Sequence, residues 1–450
     1  MQEIFISSIK EKIDKSEKIC VFGGGTTGLE VISFLKNHKK DFFLIDANSE
    51  SKEYPVFKDT ESFGSLPKFS LMVKSPGVSP FHPLLLTTHN NGIPVLSEIA
   101  LARAYFTGKI LGITGTDGKS TTTSLTHHIL SSIHPKTKIG GNFGIPFVQF
   151  CEEKLDFAVL ELSSYQLEDS IPLGLDSSSF LNLANDHLER HKNMENYKNA
   201  KLKIVTKDNK DHTFILNERL KNIINTSGFI CKTKDFGTSD SCSARILVDE
   251  KKIVTQNYSY STNEFPLLGF HNLENLAAAI LLAESVNCNS DLIQKSIFNF
   301  KGLKYRFEKV HTYRDAIFIN DSKSTNLHSL LSGIHGYTSD DRTVLLLGGR
   351  PKLEPIDDLV SRIKSLKPVK VFIYGEAGNI WKDSLSSIEV HIVSDPKSAL
   401  EILYREWKFL SPKYIIFSPG CASFDLYKNF EERGRIYTDL VKELFFLKDI

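Results

Sequence analysis

Short apolar runs alternate with stretches of helical period along nearly the whole chain of 450 residues. In the first hundred residues the runs KICVFG, DFFLID, SLMVKSPG and IPVLSE predict strands. The pattern starts afresh at GKILGITGTDGKSTTTSLTHHIL, which reads as strand, glycine-rich turn and helix, and continues with the strands DFAVLELSS and SSSFLNLAND. Between about residues 205 and 265 the pieces shorten to HTFILN, ARILVD and KKIVTQ, and the helical run FHNLENLAAAILLAESV follows them. A third alternation opens near residue 304 with DAIFIND, RTVLLLGG, KVFIYGE, VHIVSD and YIIFSPG. Strands of this length between helices predict an α/β fold with mainly parallel sheets. A single core stops growing beyond about 250–300 residues, and the pattern divides into three domains, 1–100, 101–303 and 304–450. The outer two are expected to be Rossmann-like and the central one to be of P-loop type.

Composition narrows the class without naming a chemistry. With 41% hydrophobic and 24% charged residues the chain has the make-up of an ordinary soluble globular protein. Its formal net charge of +1 gives no electrostatic reason to expect nucleic acid or an anionic membrane as partner. Cys20, Cys151, Cys231, Cys242, Cys288 and Cys421 form no C-x-x-C pair and read as thiols of a reducing compartment. No apolar run approaches the ~18 residues of a membrane span, and the N-terminal MQEIFISSIKEKIDKSEK is too charged for a signal peptide. A cytoplasmic location is expected.

Two glycine-rich turns carry the candidate chemistry. In VFGGGTTGLEV, residues 21–31, Gly23, Gly25 and Gly28 fit G-x-G-x-x-G, and Asp46 follows the second apolar run, as in a dinucleotide-binding βαβ unit. The second turn, ITGTDGKST at 113–121, departs from G-x-x-x-x-G-K-[ST] only in that Gly112 lies one residue too far from Gly118. A glycine turn between strand and helix aims backbone N–H groups and a helix N-terminus at one point, which suits phosphate. Lys119 can then lie along the phosphates and the Ser120 hydroxyl can reach Mg²⁺. Glu161 ends the apolar run DFAVLE, and Asp186 and His187 follow the next strand, so all three are expected on the sheet edge that holds this loop.

Eight strings stand in order along the chain: ITGTDGKST, GGNFGIP, ELSSYQLE, NDHLERH, NAKLKI, FHNLENLAAA, INDSKSTN and SPGCASFDLYKNFEERG. Together they resemble the ordered motifs of the ATP-dependent Mur ligases, and the resemblance runs from the first glycine loop to the last helix. Neither the DNPR-type nor the HHPTE-type string of the sister enzymes occurs; instead INDSKSTN, LLLGGRPK and SPGCASFDLYKNF in the third domain resemble those of the members that add D-glutamate. The resemblance implies an ATP-dependent ligase that joins D-glutamate to UDP-N-acetylmuramoyl-L-alanine through an acyl phosphate, in peptidoglycan precursor synthesis. It also implies two Mg²⁺ ions and a CO₂-derived carbamate on Lys201, with small molecules as the partners of a monomer.

Matched positions then imply roles. Gly115, Thr116, Asp117, Gly118, Lys119, Ser120 and Thr121 would hold the ATP phosphates, with Ser120 and Glu161 on one Mg²⁺ and His187 and carbamylated Lys201 serving a second. Asn272 and Asn275 would face the adenine, and Arg306, Asp321 and Lys323 would reach ribose or γ-phosphate. Gly25, Thr26 and Thr27 would contact a UDP diphosphate, Asp46 the uridine end, and Ser75, Pro76 and Gly77 the opposite wall. Asn142, Ser163 and Gln166 would contact the muramoyl part, and Thr325, Lys352, Ser423 and Phe430 would form the D-glutamate pocket. By spacing alone Lys201 reads as an exposed helix lysine among Lys198, Lys203 and Lys207; only the resemblance makes it a carbamate.

Five positions depart from the family pattern. Asp117 lies in the phosphate loop where asparagine or lysine is usual, and Tyr305 precedes Arg306 where histidine is common. Arg350-Pro351 replaces an acidic-glycine pair before Lys352, and Asn48 stands where an arginine often meets the uridine diphosphate. Three rival readings fit the sequence less well. Folylpolyglutamate synthase lacks the first domain, a regulatory protein with a dead site would not need Lys119, Glu161, His187, Lys201 and Lys323, and an NAD-dependent dehydrogenase leaves the second loop idle.

Overall fold

All fifteen apolar runs named above are strands in the computed structural model, which describes residues 2–168, 173–352 and 355–446. The expected outer limits at residues 1 and 450 fall outside it. Among the described residues the strands form three sheets, with order changes that mark parallel crossovers. Five further strands have no long apolar run: Val56–Phe57, Thr137–Gly141, Lys232–Gly237, Ser259–Ser261 and Glu308–Tyr313. Four of them are sheet edges, where one flank of the strand needs no apolar cover. The fifth, Lys232–Gly237, is exposed over its first half.

The chain divides into two compact units, Met1–Asn263 with Glu274–Asn299, and Glu264–Leu273 with Phe300–Ile450. The first unit holds two sheets. One is parallel and runs Val56–Phe57, Phe42–Ile45, Ile19–Phe22, Leu71–Lys74, Val95–Ser97 from edge to edge. Strand order reverses between Ile19–Phe22 and Leu71–Lys74, so the loops after these two strands diverge and open a crevice at their carboxyl ends. The second sheet runs Thr137–Gly141, Phe157–Glu161, Lys109–Thr114, Ser177–Phe180, Thr213–Asn217, Lys232–Gly237 and Ala244–Leu247, all parallel, and ends in the antiparallel Lys252–Thr255 and Ser259–Ser261. Its order reverses around Lys109–Thr114, the strand that feeds the second glycine loop.

One continuous apolar cluster joins both sheets, from Val21, Ile32 and Val73 through Ile99, Leu101 and Phe106 to Phe147, Leu160 and Phe214. The helix Glu98–Tyr105 supplies the middle of that cluster and buries six of its eight residues. The position near residue 100 therefore lies inside the first unit.

The second unit holds the third sheet, Glu308–Tyr313, Ala316–Asn320, Tyr414–Phe417, Thr343–Gly348, Lys370–Tyr374 and His391–Val393, parallel except for its first pair. Apolar clusters cover both of its faces, one around Ile319, Leu345, Leu347 and Ile416, the other around Phe318, Leu346, Phe417 and Tyr437. A strand buried on both faces reads as an unbroken apolar run, which is why LLL and YIIF were legible as strands.

Candidate active site

The first glycine loop lines a cleft of about 550 Å³ with Gly25, Thr26, Thr27, Asp46, Ser75, Pro76 and Gly77. This is the size range of small-molecule sites. Gly28 is required where helix Thr26–Asn37 meets the strand: a Cβ there would lie 1.8 Å from the Gly23 carbonyl oxygen. Asp46 is held by the loop it lines. Its Oδ2 accepts from Gly24 N at 2.7 Å, and its Oδ1 accepts from Asn48 N at 2.9 Å and Ser49 N at 2.7 Å. Burial alone would raise its pKa, but the donors of Gly24, Ser49 and Asn48 outweigh it and hold the carboxyl at about 2. Asn48 thus contributes a backbone donor to Asp46.

The second glycine loop joins strand Lys109–Thr114 to helix Lys119–Ile133. Gly118 turns the chain at φ 77°, and a Cβ there would meet Asn275 Oδ1 at 2.3 Å. The loop is pinned from the neighbouring strand by Asn182, a residue that motif reading passed over. Asn182 Oδ1 accepts from Thr116 N at 3.0 Å and Asp117 N at 2.8 Å, and its amide donates to Asp117 O at 3.1 Å. The backbone around Asp117 is thereby fixed. Asn275 stays close by accepting from Thr122 Oγ1 at 3.1 Å, while Thr121 is buried in the first turn of the helix.

Glu161 is 3% exposed at the end of its strand. Ser120 Oγ donates to its Oε2 at 2.5 Å and Asn142 Nδ2 to its Oε1 at 2.8 Å. A carboxylate and a hydroxyl oxygen meeting beside the second glycine loop are the hard donors a Mg²⁺ ion takes, so Ser120 and Glu161 fit that ion. Ser163 and Gln166 follow on the next turn, where Ser163 N and Oγ donate to Gln166 Oε1 at 3.0 and 3.1 Å.

Lys201 is 1% exposed, contrary to the exposed helix lysine that spacing alone suggests. Helix Met194–Leu202 turns Tyr197, Ala200 and Lys201 inward. The Lys201 ammonium nitrogen lies 4.5 Å from the Tyr197 ring centroid and donates to Gly115 O at 2.7 Å. Burial, and then the charge of Lys119, push its pKa well below the usual lysine value, against the pull of Asp186, Asp117 and Glu161. His187 follows Asp186 in a left-handed conformation, φ 55°, with its side chain 41% exposed. Tyr165 OH lies 3.1 Å from its Nδ1.

In the second unit Asp321 and Lys323 follow strand Ala316–Asn320, Arg306 precedes strand Glu308–Tyr313, and Phe430 opens helix Phe430–Phe446. Arg306 sits between two residues of positive φ, Tyr305 at 63° and Phe307 at 50°. The turn is held by Asp321, whose Oδ1 accepts from Phe307 N at 3.1 Å and whose Oδ2 accepts from Ser418 Oγ at 2.7 Å. Lys323 N donates to Tyr305 O at 2.9 Å, and its ammonium lies 4.0 Å from the Phe430 ring centroid. Asn272 Nδ2 donates to Leu268 O at 2.7 Å.

Thr325 follows strand Ala316–Asn320, Lys352 follows Thr343–Gly348 and Ser423 follows Tyr414–Phe417, three neighbours in the sheet. Arg350 ties two of these loops together. Its backbone exchanges bonds with Ala422 at 2.8 and 3.0 Å, and its guanidinium makes a two-pronged pair with Glu376. A residue missed in the sequence is Arg433, fully buried, which donates to Ser322 Oγ at 3.0 Å, Ser322 O at 2.7 Å and Cys421 O at 2.9 Å. Its only signal was a basic residue inside NFEERG.

The chain matches the Mur ligase middle domain over residues 113–283. It is 46% identical to a UDP-N-acetylmuramoylalanine–D-glutamate ligase of Leptospira interrogans over 451 aligned residues, covering 95% of this chain and 97% of that one. A crystal structure of MurF from Acinetobacter baumannii shares the fold with a TM-score of 0.61 at 16% identity, over 91% of this chain and 88% of that one. MurF from Thermotoga maritima, in complex with ADP, gives 0.59 at 13% identity over 94% and 95%. With identity at the level of the Leptospira enzyme along nearly the full length of both chains, the chain belongs to the UDP-N-acetylmuramoylalanine–D-glutamate ligase family of the Mur ligases.

Proposed function

We propose that this chain joins D-glutamate to UDP-N-acetylmuramoyl-L-alanine with the cleavage of ATP to ADP and phosphate, a step in making the peptidoglycan precursor. The observation that carries the reading is the cluster at the second glycine loop, where Ser120 and Asn142 donate to buried Glu161 beside Lys119 and Lys201.

A carboxylate does not exchange its oxygen for an amine unaided, because that oxygen is a poor leaving group. Attack of the alanyl carboxylate on the γ-phosphorus forms a C–O–P bond as the bond to ADP breaks. The amine of D-glutamate then adds to the acyl carbon, and the tetrahedral intermediate expels phosphate with the original carboxylate oxygen. The protein's task is in-line positioning and neutralising oxygen charge. Gly115 to Thr121 cradle the phosphates and Lys119 supplies a cation. Ser120 and Glu161 would hold one Mg²⁺, and His187 with Lys201 as a carbamate would hold a second; bound there, the ions neutralise phosphate oxygens. Asn272, Asn275, Arg306, Asp321 and Lys323 complete the ATP set.

Gly25, Thr26, Thr27, Asp46, Ser75, Pro76 and Gly77 receive the UDP end, and Asn142, Ser163 and Gln166 the muramoyl part. Thr325, Lys352, Ser423 and Phe430 receive D-glutamate, a dicarboxylate that needs cationic and hydroxyl partners. Residues 1–100, 101–303 and 304–450 take the UDP, ATP and amino-acid roles in that order, in a monomer of the cytoplasm. Among the described residues no helix is long and apolar enough to cross a membrane. Phosphate release from ATP with UDP-N-acetylmuramoyl-L-alanine and a panel of amino acids tests the reading: D-glutamate should support turnover, and turnover with L-lysine or L-alanine alone would overturn it.

A further inference from the structure

The pairing of Tyr165 with His187 goes beyond the roles assigned above. Tyr165 lies on the short helix Ser164–Glu168. Its ring is clamped by the Arg190 guanidinium, 4.2 Å from the centroid, and Arg190 is itself anchored by Nε donating to Glu168 Oε2 at 2.8 Å. The ring is therefore set without help from its hydroxyl. That hydroxyl reaches two groups, His187 Nδ1 at 3.1 Å and Glu189 Oε1 at 3.4 Å.

We propose that Tyr165 is a positioning residue for His187: its oxygen accepts the Nδ1 proton while its own proton goes to Glu189, so that Nε2 is presented as the lone-pair nitrogen. The inference rests on the functional reading, in which His187 serves a Mg²⁺ ion. An ionised carboxylate can only accept, and a phenol has one proton to give. With that proton directed to Glu189, the remaining bond to Nδ1 must run from the ring to the tyrosine oxygen. A neutral imidazole with its proton on Nδ1 has its lone pair on Nε2, the form that ligates a cation, and an acceptor for the other ring N–H fixes that form. Asp186 competes from the other side, since its Oδ2 lies 3.5 Å from Nε2 and would favour a proton there. The Tyr165–Glu189 relay opposes that preference. Tyr197 faces the same imidazole, with ring centroids 6.1 Å apart, and offers its ring rather than a proton acceptor.

Tyr165→Phe removes one oxygen and keeps the stacked ring, so the fold is retained. The experiment compares ¹⁵N spectra of the His187 ring in Mg²⁺-free wild-type and Tyr165→Phe enzyme above neutral pH, and the Mg²⁺ concentration giving half-maximal turnover. The proton should sit on Nδ1 in the wild type and move toward Nε2 in the variant. The Mg²⁺ requirement should rise on the order of 10-fold, with the KM for D-glutamate unchanged. The same tautomer in both proteins overturns the proposal, and so does an unchanged Mg²⁺ requirement. If the wild type makes no product with D-glutamate, the functional reading fails, while the tautomer comparison still decides this inference.

Discussion

Lys119 and Lys201 donate to the same carbonyl oxygen, that of Gly115, at 3.0 and 2.7 Å. Two ammonium groups on one acceptor repel each other, and burial with the charge of Lys119 pushes the Lys201 pKa well below the ordinary lysine value. On the proposed reading this amine is the one that takes the carbamate. Lys201→Ala should abolish turnover, excess bicarbonate should not restore it, and a small carboxylic acid should restore part of it; recovery with bicarbonate would remove the carbamate from the account. Glu161→Gln keeps an oxygen to accept from Ser120 or Asn142 but loses the charge. Its kcat should fall by on the order of 100-fold or more with an unchanged melting temperature. At this scale the sequence was legible where a residue type announces itself, as in GKS, and opaque where burial decides. The four lysines from 198 to 207 look alike as letters, and burial singles out Lys201, which the helix Met194–Leu202 turns inward with Tyr197.

The elements that carry the site are two strand–turn–helix units whose glycines are not interchangeable. Gly118 combines a left-handed φ with a Cβ position 2.3 Å from Asn275 Oδ1, whereas a Cβ on Gly25 would meet nothing within 4 Å. The left-handed conformation alone costs a non-glycine residue about 1–2 kcal/mol, and Asn275 must also move. Gly118→Ala should therefore lose ATP affinity and stability together, while Gly25→Ala keeps the melting temperature; calorimetry on both variants checks the contrast. Asn182→Ala leaves Thr116 N its bond to the Asn182 backbone oxygen at 3.1 Å but removes the side-chain acceptor of Asp117 N, and should cost about 1–3 kcal/mol, read as a lowered denaturation midpoint. Strands with apolar faces were legible from their runs, and the glycine turns from their spacing. Edge strands such as Thr137–Gly141 and the pinning role of Asn182 were not, because they depend on what lies alongside in the sheet.

At the scale of the whole molecule, the junction between the first two sheets is held by a buried carboxyl. Glu98 Oε1 accepts from Val148 N at 2.6 Å, which links the helix Glu98–Tyr105 to the segment that follows the GGNFGIP loop. Burial raises its pKa from the ordinary 4.5 to about 7, only partly countered by the N–H groups of Val148 and Phe147. Between those values the folded protein binds a proton that the unfolded chain has released, so this group's contribution to stability falls as pH rises through the window. Relative to Glu98→Gln, the wild type should lose stability from about pH 4.5 to about 7 and stay lower above it; parallel pH profiles of the two melting temperatures would contradict this. The three sheets were visible as three alternations in the letters. That the first two share one core was not, since Ile99 and Leu101 on a short helix and Phe106 just after it pack into a cluster drawn from both sheets.

The central claim is that the site activates a carboxylate with ATP for attack by D-glutamate. UDP-N-acetylmuramoyl-L-alanine labelled with ¹⁸O in its carboxylate tests it most directly, by mass analysis of the phosphate released in the presence of ATP, Mg²⁺ and D-glutamate. The account predicts one labelled oxygen in each phosphate formed, matched by one molecule of D-glutamate joined. Phosphate free of label, with amide product accumulating, would contradict it.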